Sequence, residues 1–353
     1  MTIQEIIQKA VEKNASDIFL VAGLPLTLKC DGVQRRDESD RLMPADTQRL
    51  IEEIYTMSGR DFGQCLAAGR DDDFSFSMSQ WGRFRVNVFH QRGSLAAVIR
   101  VIRFGLPDPA QLGIPEEVLS LADNRNGLVL ITGAAGMGKS TTLACIIDRI
   151  NQSRDGHIIT MEDPIEYVHR HGKSIVSQRE IPLDSPDYLT ALRSALRESP
   201  DVILLGEMRD YATVSAAMTA AETGVLILST LHTVSAANTI NRILDVFPAS
   251  QQQQVKIQLA QTLRGIVCQQ LLPGKDGRRI PAFEIMKVNP AIQNMIRDDK
   301  LHQLDSAIQA GGAMGMCTMD QSLLRLYQQG VINKEVVLSS CIHYEAVSKR
   351  LGG

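Results

Sequence analysis

The chain has 353 residues, of which 44% are hydrophobic and 22% charged, with a formal net charge of −3. That length suits two or three domains with a substantial core, and the composition is that of a globular chain. With a pI of about 6.2 there is no global basic field to draw it onto nucleic acid or lipid. Its six cysteines, at 30, 65, 145, 268, 317 and 341, form no C-x-x-C pair, which indicates neither a zinc ribbon nor a disulfide framework. Scattered free cysteines fit a reducing cytoplasm. The opening Met-Thr-Ile-Gln-Glu-Ile-Ile pattern reads as an amphipathic helix and not as a signal peptide. No apolar run approaches the roughly 18 residues of a membrane span.

Residues 1–105 predict a small α+β domain. Ile3, Ile6, Ile7 and Ala10 recur at helical spacing. Ile18–Val21 and Leu26–Leu28 are short strands, and a helix follows Pro44 with Leu50, Ile51 and Ile54 on one face. Three strands come next: Asp73–Met78, Arg83–His90 and Ala96–Ile102. In the middle one Phe84, Val86 and Val88 point one way and Arg83, Arg85 and Asn87 the other. Gly105-Leu-Pro-Asp-Pro109 is rich in breakers and opens a linker over 106–123.

From residue 124 short apolar runs alternate with helical segments. The runs are Leu128–Ile131, His157–Met161, Val202–Leu205 and Val225–Thr230, and the helices 140–150, 187–198, 212–222 and 235–245. This alternation predicts a parallel sheet flanked by helices. Beyond Phe247-Pro248 the chain reads as mostly helical, interrupted by one strand or hairpin at Arg279–Met286. Thr318-Met-Asp-Gln321 is a capping box that opens a late helix.

Four stretches carry chemistry. Gly133-Ala-Ala-Gly-Met-Gly-Lys139-Ser140-Thr141 lies between a strand and a helix, the context a phosphate-binding P-loop requires. Glycines let backbone N–H groups turn toward phosphate oxygens, and the helix N-terminus adds its own unpaired donors. Lys139 would reach the β- and γ-phosphates and Ser140 would hold Mg²⁺. Val202-Ile-Leu-Leu-Gly206-Glu207 is an apolar strand that ends in an acid, with glycine where an aspartate commonly precedes it. Glu162-Asp163-Pro-Ile-Glu166 clusters three carboxylates after a strand, and Glu166 is the candidate for polarising an attacking water. Ser229-Thr230-Leu-His232-Thr233 ends another strand, where its threonines and histidine could sense a γ-phosphate. Transition-state cations could come from Arg85, Arg92, Arg100 and Arg103, with Arg85 and Arg100 spaced to share one sheet face.

Taken together, GAAGMGKSTT, TMEDPIEYVH, LLGEMRD and STLHT resemble the Walker A, Asp box, Walker B and His box of the secretion-superfamily ATPases. The likeness is strongest to the pilus retraction (PilT-like) branch. Ala15-Ser-Asp-Ile-Phe-Leu20 resembles that family's PAS-like opening, and Ala291–Asp298 its AIRNLIRE segment. Departures are Phe19 for a histidine in the opening motif, Val225 for a first histidine in the His box, and Gln293, Met295 and Asp298 within AIRNLIRE. On a helix, Ile292, Met295 and Ile296 would share an apolar stripe, so that segment also reads as simple packing.

The resemblance implies a RecA-like α/β ATPase domain at 124–353, helical in its C-terminal part, after a PAS-like domain at 1–105. It implies ATP and Mg²⁺ as ligands, with Gly133, Gly136, Gly138, Lys139, Ser140, Thr141 and Glu162 in the binding set. Glu166 becomes the general base, Glu207 the Walker B acid, His232 a catalytic histidine, and Arg85 and Arg100 arginine fingers. Implied partners are five further copies in a homohexamer, an inner-membrane pilus platform protein, and an accessory or antagonist pilus ATPase. The implied location is the cytoplasm, peripheral to the inner face of the cell membrane. Two other readings are a nucleotide-gated accessory subunit without turnover and a pilus or type II secretion assembly ATPase. The assembly enzymes usually carry a tetracysteine module and a longer N-terminal extension, and this sequence has neither. A nucleic-acid translocase is a further alternative, against which stands the absence of a basic stripe or aromatic platform in the sequence.

Overall fold

The computed structural model describes residues 1–30, 32–63, 71–102 and 104–352. The chain divides into two units, Met1–Gly105 with Glu166–His169, and Leu106–Ile165 with Arg170–Gly353.

The first unit runs α1 (Ile3–Glu12), β1 (Ala15–Leu20), β2 (Thr27–Cys30), β3 (Val33–Arg36), α2 (Pro44–Ser58), β4 (Asp72–Met78), β5 (Gly82–Gln91) and β6 (Ser94–Ile102). A capping box between Thr2 and Glu5 starts α1. Pro44 occupies the first turn of α2, and Gly59 ends that helix in the left-handed region at φ 69°. The six strands pair antiparallel in the order β3-β2-β1-β6-β5-β4. Alternation puts Phe84, Val86 and Val88 of β5 under the helices, in one cluster with Ile6, Ile7, Leu50, Ile51 and Ile54. Arg83, Arg85 and Asn87 take the opposite face. A two-residue turn with Arg92 at φ 49° and Gly93 at φ 79° joins β5 to β6, the primed geometry that matches strand twist. Strand β3 was not expected from the sequence. All four of its residues are exposed at the sheet edge, so it has no apolar signal to read.

The second unit holds α3 (Glu116–Leu119), β7 (Gly127–Thr132), α4 (Lys139–Ser153), β8 (His157–Glu162), β9 (Ile175–Glu180), α5 (Tyr188–Ala195) and β10 (Val202–Leu205). It continues with α6 (Tyr211–Glu222), β11 (Leu226–Leu231), α7 (Ala236–Asp245), α8 (Ala249–Thr262), β12 (Leu263–Pro273) and β13 (Arg279–Lys287). Five helices close the chain: α9 (Pro290–Arg297), α10 (Leu304–Ala310), α11 (Met319–Gln328), α12 (Lys334–Ser340) and α13 (Tyr344–Gly352). The sheet order is β13-β12-β7-β11-β10-β8-β9. All neighbours are parallel except the edge strand β13. Both faces are covered, which explains the unbroken apolar runs. Val129 and Ile131 enter one cluster with Ile146 and Ile150, while Leu128 and Leu130 enter the other with Leu192 and Met218.

Three expectations change. Residues 263–273, expected to be helical, form β12, paired in parallel with the glycine-loop strand β7. Helix α8 runs into β12 with no glycine or proline between them, so nothing local marks the switch. Strand β9 was also unforeseen, since only Val176 and Glu180 in it are buried. Residues 106–123, expected as a linker, lie with the second unit, where Ile114, Val118, Leu121 and Ala122 pack against α4 residues Ile146 and Ile150.

Glu284 of β13 is 1% exposed, and it ties two helices together. Its Oε1 accepts from Ala236 N at 2.8 Å, the first residue of α7. Its Oε2 accepts from Met319 N at 3.3 Å, the first residue of α11. Both helix dipoles present their positive ends to the carboxylate. Burial pushes its pKa up, and the two backbone donors oppose that. Glu284→Leu leaves both buried N–H groups without an acceptor, an expected cost of about 2–4 kcal/mol. Urea unfolding should show the Leu variant well below wild type and Glu284→Gln in between.

Candidate active site

Strand β7 is buried throughout and ends at Thr132, where the glycine loop begins. Its three glycines are required for different reasons. Gly133 has φ +141°, and a Cβ there would lie 2.3 Å from the Gln269 carbonyl oxygen. Gly138 has φ +83°, and its Cβ would lie 2.9 Å from Gln269 Nε2. Gly136 has φ +76° with open space around it, so conformation alone selects glycine. Helix α4 begins with no side-chain cap and no acid in its first turn. Its first N–H groups therefore stay available to an anion. Ser140 is exposed, and Thr141 is half-buried in that turn.

Lys139, only 9% exposed, donates to the carbonyls of Gly133 at 2.8 Å and Ala134 at 2.9 Å. Its Nζ also lies 3.5 Å from His232 Nδ1. Burial lowers the lysine pKa, and the Glu207 charge opposes that. An ammonium has no lone pair, so His232 must accept at Nδ1 and carry its proton on Nε2. That Nε2 lies 3.3 Å from Glu207 Oε1, while Arg209 Nη2 holds Oε2 at 2.7 Å. Burial works against the Glu207 carboxylate, but the hydrogen bond and charge of Arg209, with the hydrogen bond from His232, win, and its pKa falls below the ordinary value. Lys139, His232, Glu207 and Arg209 thus form one continuous polar chain across the C-terminal ends of neighbouring strands, the edge where open α/β sheets take ligands.

Glu162 ends β8 and accepts from Thr160 Oγ1 at 2.6 Å and Gln178 Nε2 at 3.2 Å. Gly206 precedes Glu207, and a Cβ at that position would lie 2.7 Å from Tyr188 Oη and 3.2 Å from Met161 O. There is no room for an aspartate there. The hydroxyls next to His232 have structural work. Ser229 donates to Leu205 O at 2.9 Å and Thr230 to Gly206 O at 2.6 Å, and Thr233 pairs with Thr239 at 2.7 Å. Of the expected γ-phosphate sensors only His232 faces the charged chain.

In the first unit Arg85 and Arg100 are directly opposed across β5 and β6. Arg100 Nε lies 3.2 Å from Asp17 Oδ1, and Ser16 Oγ donates to Asp17 Oδ2 at 2.9 Å. Arg92 sits in the hairpin turn, and Arg103 lies outside the described residues. Glu166 is exposed and belongs with the first unit, in the segment whose Val168 bridges to Phe104. The predicted residues therefore fall into two groups. Lys139, Glu162, Glu207 and His232 line the second unit's sheet edge, while Arg85, Arg100 and Glu166 lie in the first unit.

One residue went unread in the sequence. Gln269, 3% exposed on β12, accepts from Thr142 Oγ1 at 2.7 Å. Its neighbour Leu271 donates its N–H to Met137 Sδ at 3.2 Å. The glycine loop is thus braced by a strand more than a hundred residues away. A buried polar residue inside an apolar run was the available signal.

The family profile described as type II/IV secretion system protein matches residues 1–333. The chain is 45% identical over 336 residues to a type IV pilus retraction ATPase, PilT, of Pseudomonas aeruginosa, covering 95% of this chain and 96% of that protein. It is 46% identical over 277 residues to a twitching motility protein of Neisseria gonorrhoeae, covering 78% and 74% of the two chains. Among solved structures, the pilus retraction motor PilT with bound ADP superposes with a TM-score of 0.88 at 46% identity, covering 99% of each chain.

Gln269→Leu removes the partner of the buried Thr142 hydroxyl and the amide beside Gly138. An expected loss of about 1–3 kcal/mol in unfolding free energy should come with a clear weakening of ADP binding in a fluorescent-nucleotide titration. Unchanged nucleotide affinity would remove the brace from the account of the site.

Proposed function

The chain belongs to the type II/IV secretion system protein family, and we propose that it is an ATP-hydrolysing motor that drives type IV pilus retraction. The observation that carries this reading is the Lys139–His232–Glu207 chain beside an uncapped helix N-terminus. A phosphate cradle alone binds nucleotide. A carboxylate kept ionised next to that cradle can also orient a water for attack.

The loop amides and Lys139 take the β- and γ-phosphates, with Gly133, Gly136 and Gly138 supplying the close approach and Thr141 and Glu162 completing the set. Among the described residues no group of three or more His, Cys, Asp or Glu could hold a metal by itself. The exposed Ser140 hydroxyl would hold Mg²⁺ together with the bound phosphates, and the ion would offset the charge of the phosphate oxygens. Glu166 acts as general base. It takes a proton from the water whose oxygen bonds to the γ-phosphorus as the bond to the ADP oxygen breaks. Glu207 orients that water through its own hydrogen bonds, and His232 responds to the γ-phosphate from between Lys139 and Glu207.

The working unit is a homohexamer in which the PAS-like domain, residues 1–105, offers Arg85 and Arg100 to the nucleotide of an adjacent copy. The ring sits in the cytoplasm at the inner face of the cell membrane, against a platform protein of the pilus, and works beside an accessory or antagonist pilus ATPase. No described helix is long and apolar enough to cross a membrane. Nucleic acid is not among the expected partners.

Lys139→Ala should abolish ATP turnover by removing charge neutralisation at the γ-phosphate. Glu166→Gln should bind ATP normally and turn over at least about a hundredfold more slowly, the low end for lost general-base catalysis. Wild-type turnover in the Glu166→Gln protein would remove it as the base. Arg100→Ala should lower turnover and be rescued in rings mixed with Lys139→Ala subunits, since each mutant then supplies what the other lacks. The master test is ATP turnover measured together with oligomer mass. A monomer in ATP and Mg²⁺ would overturn the motor reading.

A further inference from the structure

Tyr188 is the first residue of α5, fixed there by its N-cap Asp187, which accepts from Thr190 N at 2.8 Å. The half-buried ring packs against the core cluster of the second unit. Its hydroxyl reaches the β10 end of the sheet, 2.7 Å from where a Cβ on residue 206 would stand. The hydroxyl forms no hydrogen bond among the described residues. The charges within its reach are those of Asp163, Glu162, Glu207 and Arg209. Three carboxylates against one guanidinium leave the pocket electronegative, and the Tyr188 O–H is an uncharged donor beside it.

We propose that Tyr188 is a positioning residue for ATP hydrolysis, its hydroxyl filling the space that Gly206 leaves bare and donating to the Glu207 carboxylate when nucleotide is bound. The geometry supplies the need. Glu207 has Arg209 on Oε2 and His232 on Oε1. The Arg209 side chain is 77% exposed, so water competes for that contact. The His232 contact also depends on Lys139, whose partners must change when phosphate arrives. A phenol anchored in the core depends on neither contact. Burial and the neighbouring carboxylates raise the Tyr188 pKa, which keeps its proton on the oxygen through the working pH range. Gly206 is then the companion of this tyrosine, its bare Cα making the slot for the hydroxyl.

The inference rests on the ATP-hydrolysis reading of this site, and the test separates the two. In the full-length assembled protein, Tyr188→Phe keeps the ring and removes only the hydroxyl. We expect kcat to fall about tenfold, the worth of one hydrogen bond to a charged group, with KM and ADP affinity within twofold and the melting temperature near wild type. The acid limb of the kcat–pH profile should move to higher pH, because a carboxylate that loses a donor is easier to protonate. Gly206→Ala puts a methyl against the hydroxyl and should lower kcat in wild type, yet cost much less when added to Tyr188→Phe. A Tyr188→Phe protein with wild-type kcat and pH profile, or fully additive effects in the Gly206→Ala cycle, would overturn the assignment. Absence of ATP turnover in the wild-type ring would instead fail the reading of the site, and this inference with it.

Discussion

The nucleotide loop cannot hold its own shape. Its glycines impose no side-chain contacts, and helix α4 starts without a cap. Besides the Lys139 bonds to the Gly133 and Ala134 carbonyls, what holds it is pressure from the side. The Gln269 carbonyl lies close enough to Gly133 to exclude any Cβ, and the Gln269 carboxamide spans Thr142 and Gly138. The register of β12 on β7 sets all of this, with Cys268 opposite Thr132 immediately before the loop. A one-residue slip would turn Gln269 to the other face of the sheet. The phosphate cradle is in that sense a property of strand pairing.

Around the cradle, charge is arranged in series. Lys139 is held by loop carbonyls and by a histidine, the histidine by a glutamate, and the glutamate by an exposed arginine. Burial lowers the Lys139 pKa against the Glu207 charge, while at Glu207 burial is outweighed by the partners Arg209 and His232. An incoming polyphosphate would compete for Lys139 first, and the disturbance would pass to His232 and Glu207 in order. The first unit repeats the principle on a smaller scale, where Arg100, opposed to Arg85 across β5 and β6, pairs with the buried carboxylate of Asp17.

Much of this was legible in the sequence because it is local. The apolar runs of β7, β10 and β11, the glycine loop and the residues at the strand ends lie within a few positions of one another. The opposition of Arg85 and Arg100 followed from alternation in two neighbouring strands. What stayed hidden depends on distant parts of the chain. β12 has no alternation, because both its faces are buried, and no breaker parts it from α8. β3 has no apolar residue facing inward. The brace from Gln269 and the slot between Gly206 and Tyr188 exist only once separate strands and helices are brought together. Glycine at 206 looked like a missing aspartate in the sequence, and in the fold it is the room a tyrosine hydroxyl needs.

Glu284 joins the first turn of the helix after the His232 strand to the first turn of α11. Neither helix can fray from its N-terminus without stranding the other's share of a buried charge. The late helices and the sheet edge that carries His232 therefore belong to one cooperative unit of opening. Amide exchange at Ala236 and Met319 should then be governed by the same event, and a strain applied at α11 would be felt at the strand that carries His232.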